Sequence, residues 1–535
     1  MLRIVRACAV GSCLLILAAC RGGGGGGTTP PPVIPVATVG PTTGDPADPS
    51  APSLTLTAAA FGILPTNTDV QNDVGFAALK TTMQSSSTTT WKVFFAPGAY
   101  TYTNDRWLWG VRKVIIDAYD CTLQNTSTDA SNFGPFDVGD FFTDVGDVPV
   151  PASAAVHVNG YLFNTAAAGA IAITTATHAD AGNFTPGMRV LVHGYDQQGS
   201  GYPPNMRYFE YKTVLTADAG TGVVTFTDQL AYGYDSRWWD TANYSGTGLS
   251  FGAPRILSLE RANYRRPILI WIKGATFLAN PTYPTPAANV LQLSADRLIY
   301  EDVSAPAFNT GQTDVQIMRR SKFAAESTCD KLHNRLVLED TTLNDGSIAL
   351  TDSVGINDLS LIRSKFNGSI NQIAPRNLFV DNSDIIPPTG SYTGISTETN
   401  RPLRTVSIAN TRVYNTGGGN FQAAFGGKGS PGFSLTVGSV VGTDIRITFD
   451  ATGQAVAQQI EYGMALTNTV TGNTGIITAI YWETGSPGTL RIAGTWSAPT
   501  AGDVFYYYDV MQVSDGGGNT IIGTQVPFWG GPPGE

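Results

Sequence analysis

The residues with chemistry to offer fall between Leu298 and Phe366. Glu301 and Glu339 each stand three residues after the start of a short apolar stripe, at Leu298 and Leu336, with a further stripe at Val315 between them. Equivalent outward positions on stacked parallel strands lie about 4.8 Å apart, so two steps put these carboxylates roughly 9 to 10 Å apart. That is near the upper end of the separation for an inverting glycosidase, in which one carboxyl protonates the leaving oxygen and the other activates water. The same carboxylates could instead pair with Arg297 and Arg335 of their own stripes on a solvated face. A second constellation is basic: Arg319-Arg320-Ser321-Lys322-Phe323 is echoed by Arg363-Ser364-Lys365-Phe366, with Asp330, Lys331 and His333 between them. β-Elimination on a uronate sugar needs a base for the C5 proton and positive charge or a cation beside the carboxylate. Lys322, Lys331 and His333 are the candidate bases, and Arg319, Arg320, Arg363 and Lys365 could grip the acidic sugar. Asp302 and Asp340 are candidate cation ligands. Ser-Lys-Phe also suits a plain turn with Phe inward and Lys outward. His157, His178 and His193 have no spacing that recommends them as metal ligands.

These residues need a scaffold that repeats. Pairs of inward aliphatics start at Ile270, Leu298, Val315, Leu336, Leu359, Leu378 and Val406, and four residues on the chain reads Gly274, Asp302, Arg319, Asp340, Arg363, Asn382 and Asn410. Most of these are turn formers that tolerate unusual backbone angles. A short strand closed by a polar corner about every twenty residues is the rung of a solenoid, which buries its apolar side only by stacking. The expected fold is all-β, a right-handed parallel β-helix. On it, the Leu298 rung exposes Arg297, Ile299 and Glu301, the Val315 rung Asp314, Gln316 and Met318, and the Leu336 rung Arg335, Val337 and Glu339.

Composition narrows the class. Sixty glycines, 32 prolines, 14% charged residues and a net charge of −10 favour a turn-rich extracellular β protein and disfavour a general binder of nucleic acid. Arg3 and Arg6 head an apolar run that ends in Leu17-Ala18-Ala19-Cys20, which resembles the lipobox of bacterial lipoproteins. The resemblance implies cleavage before Cys20, diacylglycerol on its sulfur and, with Arg21 following, a lipid-anchored place in the outer membrane. An ordinary secretory signal with an incidental cysteine is the alternative. Residues 22 to about 53 are too poor in large apolar groups to fold and read as a tether. In the body only Cys121 and Cys329 remain, either paired or separate buried thiols.

The body opens on a polar stretch, an expected helix from Gly75 to Met83, a strand Trp91-Lys92-Val93-Phe94-Phe95 and the turn Pro97-Gly98-Ala99-Tyr100. This order resembles the start of pectate-lyase-like right-handed β-helix proteins, with the acidic signature before the helix reduced to Asp69, Asn72 and Asp73. The resemblance implies a helical cap, polysaccharide as partner, Lys or Arg chemistry and, in several families, carboxylate-held Ca2+. From about Asp180 to Gly248 alternating strands indicate an inserted module whose aromatics, Trp238 and Trp239 among them, suit sugar stacking or packing against the rungs. Arg255, Arg265 and Arg266 could wall a groove beside it. A second β-rich region spans about Phe433 to Val513, and Gly516 to Glu535 reads as a loosely structured tail. The chain therefore divides into a signal (1–19), a tether (20–53), cap and first rungs (54–179), an inserted module (180–250), the main β-helix (251–429) and a C-terminal β module with tail (430–535). The functional expectation is a surface-anchored protein that binds and cleaves an acidic polysaccharide, by lyase ahead of hydrolase chemistry. A non-catalytic binder, adhesin or structural lipoprotein would use the same ladder.

Overall fold

The computed structural model describes residues 54–129, 134, 136–137, 160–195, 208–234, 252–259, 266–284, 290–325, 327–329, 333–352, 356–373, 375–391, 393–397, 405–416, 423–426, 434–448, 465–483, 489–506 and 512–526. A helix, Asp69–Gln84, caps the start of a parallel coil. It begins six residues earlier than Gly75 because Thr68 and Gln71 form a reciprocal capping box. The residues of the reduced acidic signature fasten this cap. Asn72 accepts from Leu64 N at 2.9 Å and donates to Thr101 O at 3.0 Å, Asp73 accepts from Thr103 N at 3.0 Å, and Asp69 accepts from the Thr126 hydroxyl at 2.7 Å. Phe76, Leu79 and Met83 bury the inner face against the first rungs.

Behind the cap the chain coils into rungs that form one 23-stranded sheet. Register aligns Trp91, Val114, Ile270, Leu298, Gln316, Leu336, Leu359, Leu378 and Val406 in one inward column, with Leu54 and Val513 at the same register position on the first and last strands, through parallel pairings throughout. A second strand per rung stacks Phe323, Leu343, Phe366, Ile385, Val413 and Ile521, and a third stacks Leu350, Ile370, Ile395 and Phe425. Apart from Leu54, Gln316 and Val513, these side chains belong to one apolar cluster. The architecture is the parallel β-helix expected, right-handed as crossovers between parallel strands are. Truncating one of its fully buried leucines, such as Leu359, would cost about 2 to 5 kcal/mol.

One rung differs from its sequence reading by a single residue. Leu298 pairs with Gln316, so Gln316 and Met318 point inward while Val315 and Ile317 point outward. A slip of one residue exchanges every side chain between faces. It moves Arg319 out of the corner and into the outward column between Glu301 and Glu339, and the corner residue is Arg320. The inward Gln316 meets His333, whose Nε2 lies 3.0 Å from Gln316 Oε1 and 3.0 Å from Thr310 Oγ1, while Gln316 Nε2 is buried without a partner among the described residues. The outward face next to these columns is also apolar and covered: Ile299, Ile317 and Val337 form a separate buried cluster with Trp271. Ile299 and Val337 are therefore not displayed, contrary to the expectation of an open face there.

The corner after each of these strands is left-handed: Gly274, Asp302, Arg320, Asp340, Arg363, Asn382 and Asn410 all have φ between 46° and 71°. Each non-glycine residue holding that conformation costs of order 1 to 3 kcal/mol. The corner is kept because its N–H continues the ladder, as when Arg320 N donates to Glu339 O at 3.0 Å and Arg363 N to Asp381 O at 2.9 Å. Behind it runs a buried hydroxyl ladder. Ser364 Oγ donates to Ile362 O at 2.9 Å and accepts from Thr341 N at 3.1 Å, and Ser383 Oγ repeats the pattern one rung on.

Two antiparallel modules interrupt the coil between neighbouring rungs. The first is six-stranded and runs from Tyr161–Leu162 to Gly252–Ser258, wider on both sides than 180–250. It docks on a column two residues before the inward position, contributed by successive rungs. Asp296 and Asp314 take Arg189, Asn357 Nδ2 donates to Phe209 O at 3.1 Å, and the Arg376 guanidinium lies 5.1 Å from the Tyr232 ring centre. Arg266 is buried with Asp296 at 2.8 Å, so it serves this junction and not a groove wall. Phe209, Tyr211 and Tyr234 are buried, in line with the packing use of the module's aromatics. The second module, seven-stranded, runs from Ser434–Thr436 to Val504–Tyr506. It is not terminal, because Gln512–Asp515 and Thr520–Gly523 re-enter the coil as its last rung. The segment read as a loose tail thus contributes Ile521 to the core.

Candidate functional site

With the register set, the exposed corner shows a charge pattern of two-rung period. The Leu298 rung presents Glu301 and Asp302, the Gln316 rung Arg319, Arg320 and Lys322, and the Leu336 rung Glu339 and Asp340. The Leu359 rung presents Arg363 and Lys365, the Leu378 rung Asp381 and Asp384, and the Val406 rung Arg412. Acidic and basic rungs alternate, and each acidic rung feeds the basic rung after it. Arg320 Nε meets Asp302 Oδ1 at 2.8 Å, and its Nη2 meets Asp302 Oδ2 at 3.0 Å and Glu301 Oε1 at 2.7 Å. Arg363 repeats this fork on Asp340, at 2.9 Å from each oxygen, and on Glu339. Arg412 takes Asp384, with Nη2 to Oδ2 at 2.7 Å. The arginines that hold Glu301 and Glu339 therefore come from the following rungs, not from their own rungs as Arg297 and Arg335 would.

The electrostatics follow from these forks. Hydrogen bonds from Arg320 hold the Asp302 carboxyl below its usual range, with Tyr119 helping, and the same bonds raise Arg320 itself. Asp340 and Glu339 likewise raise Arg363. Burial lowers Arg319, partly offset by the charge of Glu339. What the forks leave over are two lysines. Lys322 and Lys365 are exposed, stand at equivalent positions two rungs apart, and make no ion pair among the described residues. Two rungs are about 9.6 Å.

At the N-terminal end of the same corner is a group that sequence reading missed. Trp271 Nε1 donates to Glu301 Oε2 at 3.1 Å, and Lys273 Nζ lies 4.6 Å from the Trp271 ring centre. Tyr119 sits on a bulge of the Val114 rung, where the register shifts between Lys273 and Ala275, and its hydroxyl reaches Asp302 Oδ2 at 3.1 Å. Burial, then the hydrogen bond to Asp302 and the charge of Glu301, push the Tyr119 phenol up to about 12. The only signal in the sequence is the longer spacing from Val114 to the left-handed Asp120, six residues in place of four.

The expected site residues therefore separate. Glu301 and Glu339 share a column as expected, but Arg319 lies between them and arginine forks occupy them. Asp302 and Asp340 are corner residues whose oxygens face guanidinium, and no cluster of three or more His, Cys, Asp or Glu suited to a metal occurs among the described residues. A Ca2+ ion at either aspartate would have to displace an arginine. His333 is fully buried in the coil and cannot meet a polymer at the surface. Phe323 and Phe366 pack inward beside outward lysines, as the plain-turn reading of Ser-Lys-Phe requires. Cys121 is a buried free thiol that donates to Ala96 O, and burial pushes its pKa up to about 11. Lys331, Asp330, Trp238, Trp239, Arg265 and Cys20 lie outside the described residues.

No protein-family model matches the chain, and no curated protein matches it. Solved structures similar to it include the tailspike protein gp49 from Pseudomonas phage LKA1, at 10% identity and TM-score 0.32, covering 86% of this chain and 100% of that one. The Gp54 tailspike of Acinetobacter baumannii bacteriophage AP22, in complex with A. baumannii capsular saccharide, is 10% identical with TM-score 0.33 and covers 86% and 96%. The Pseudomonas phage phi297 tailspike gp61 is 11% identical with TM-score 0.25 and covers 84% and 98%.

Proposed function

We propose that the chain binds an acidic polysaccharide along the corner of its β-helix, with Lys322 and Lys365 holding carboxylates of the polymer. The observation that carries this reading is the two-rung period, in which arginines pair with the acidic rungs and leave two exposed lysines one two-rung step apart. Two cations about 9.6 Å apart on one face suit a linear polymer whose anions recur at about that interval. An ammonium and a carboxylate about 4 Å apart attract by about 1 kcal/mol in water and by more where water is partly excluded. Each lysine is thus expected to contribute about fivefold in affinity. Cleavage by β-elimination is the enzymatic form of the same reading, with Lys322 as the exposed base. Hydrolysis by Glu301 and Glu339 has less support, since both are engaged by arginine. Lipid on Cys20 and an outer-membrane location extend the reading to a surface-tethered protein, testable by labelling with palmitate in the wild type and in Cys20→Ala.

The test is affinity electrophoresis of the chain from Leu54 on polygalacturonate and on neutral dextran, with absorbance near 235 nm followed for unsaturated products. Retention by polygalacturonate that falls about 25-fold in the Lys322→Ala/Lys365→Ala double variant is the expected result. Unchanged retention in that variant would remove the track. Product absorbance that survives Lys322→Ala would remove this residue as the base.

A further inference from the structure

The group around Tyr119 differs from the lysine track in one respect: its cations are engaged by carboxylates. Lys273 and Arg320 face Glu301 and Asp302, while Asp117 beside them is taken by Lys92 at 2.6 Å. No cation is left over there for a sugar carboxylate. What the group offers is an aromatic ring that is 41% exposed, rimmed by carboxylate acceptors and guanidinium donors. The ring is held in place. Gly274 has φ +71°, and a Cβ there would lie 2.4 Å from Tyr119 Cδ1 and 2.6 Å from its Cα, so the bulge can fold flat only over a glycine. The tyrosine thereby crosses the whole Ile270 rung to reach Asp302 on the next. Bulges commonly re-aim side chains beside functional sites. This one starts three rungs before Lys322 and reaches toward it across the Ile270 rung.

We propose that Tyr119, seated on Gly274, is a charge-independent subsite for an uncharged pyranose ring at the N-terminal end of the lysine track, which makes the ligand a heteropolysaccharide of acidic and neutral units. The apolar face of the sugar lies on the ring, and its hydroxyls donate to Asp302 and Glu301 and accept from Arg320. The polymer as a whole rests on the reading of the lysine track given above; the subsite itself does not.

The experiment titrates the full chain, in detergent, with neutral hexaoses of glucose, galactose and mannose at 0.5 M salt, following line shifts of a tyrosine label or tryptophan emission. Polygalacturonate retention at low salt is measured in parallel. At least one neutral hexaose is expected to bind, and Tyr119→Ala is expected to weaken it about five- to tenfold. Tyr119→Phe, which keeps the ring, should stay within about twofold. Circular dichroism of each variant checks that the coil is intact, and Tyr119→Leu, which fills similar space without an aromatic face and should weaken binding like Tyr119→Ala, keeps the test decisive if Tyr119→Ala does not fold. No binding of any neutral hexaose, or equal binding by Tyr119→Ala, overturns the subsite. If polygalacturonate is retained in that case, the lysine track stands alone. Hexaose binding without polygalacturonate retention keeps the subsite and overturns the track.

Discussion

Replacing Arg363 tests the energetics of the corner most directly. Its side chain forks onto Asp340 and Glu339, all three between a third and a half exposed, so the two ion pairs together are worth about 1 kcal/mol. Its backbone sits at φ 46°, where an L-residue costs about 1 to 2 kcal/mol and glycine nothing. Arg363→Ala loses the pairs and keeps the strain, so it should destabilise by about 1 kcal/mol. Arg363→Gly loses the same pairs but relieves the strain, so it should be more stable than the alanine variant by about 1 kcal/mol and lie close to the wild type. The N–H to Asp381 O survives in both. Urea midpoints of the three proteins, with unchanged slopes, measure the order. In 1 M salt, where the screening length falls to about 3 Å, the penalty of Arg363→Ala should shrink while the gap between alanine and glycine persists. Equal midpoints for the two variants would show that the corner stores no strain, and the account of why an arginine sits there would fail.

Two further outcomes follow from buried groups. Ser364→Ala removes the acceptor for Thr341 N inside the coil and should cost about 1 to 3 kcal/mol by the same urea assay, against little for the exposed Lys365→Ala. His193 is buried in the first module, and burial, with Arg255 adding, lowers its pKa to about 3. Because the folded value is depressed, the unfolded chain takes up the proton first. Stability is full above about pH 6.5 and falls by about 1.4 kcal/mol per unit below it, or about 2 kcal/mol by pH 5. Thermal melting between pH 7 and pH 5 should show this loss, and His193→Leu should flatten it.

The repeat was legible because six of its seven strand starts pair two large apolar residues that have nowhere to go but inward. The seventh misled because the outward face beside it is apolar too. With Val315 and Ile317 on one side of the strand and Gln316 and Met318 on the other, hydrophobicity favours the wrong side, and the polar Gln316 is held inside by its hydrogen bond with His333, which Thr310 shares. That one residue also hid the site. With Arg319 placed at the corner, the alternation of acidic and basic rungs does not appear, and Glu301 and Glu339 look like a free pair. Tyr119 was out of reach for a different reason, since a bulge is a deviation from period and carries no residue type of its own. The last rung was missed because Gln512–Asp515 and Thr520–Gly523 are short, glycine-flanked and separated from their partners by a complete module.

Each inserted module begins and ends on neighbouring strands: Tyr161 pairs with Ile256 in the first, and Leu435 with Phe505 in the second. This bears on the order of assembly. The Val114 rung must find a partner strand at Ile270, 156 residues later, whereas Ile270 and Leu298 are separated by 28. Closing the longer span as open chain would cost about 1.5 kcal/mol more in entropy. A module that folds first brings its own ends together and shortens the span to its flanks, so the coil can resume winding as if the insertion were a turn. Each module is therefore expected to fold before the rungs on either side of it join, and the growing solenoid exposes an unpaired edge only for as long as a module takes to close.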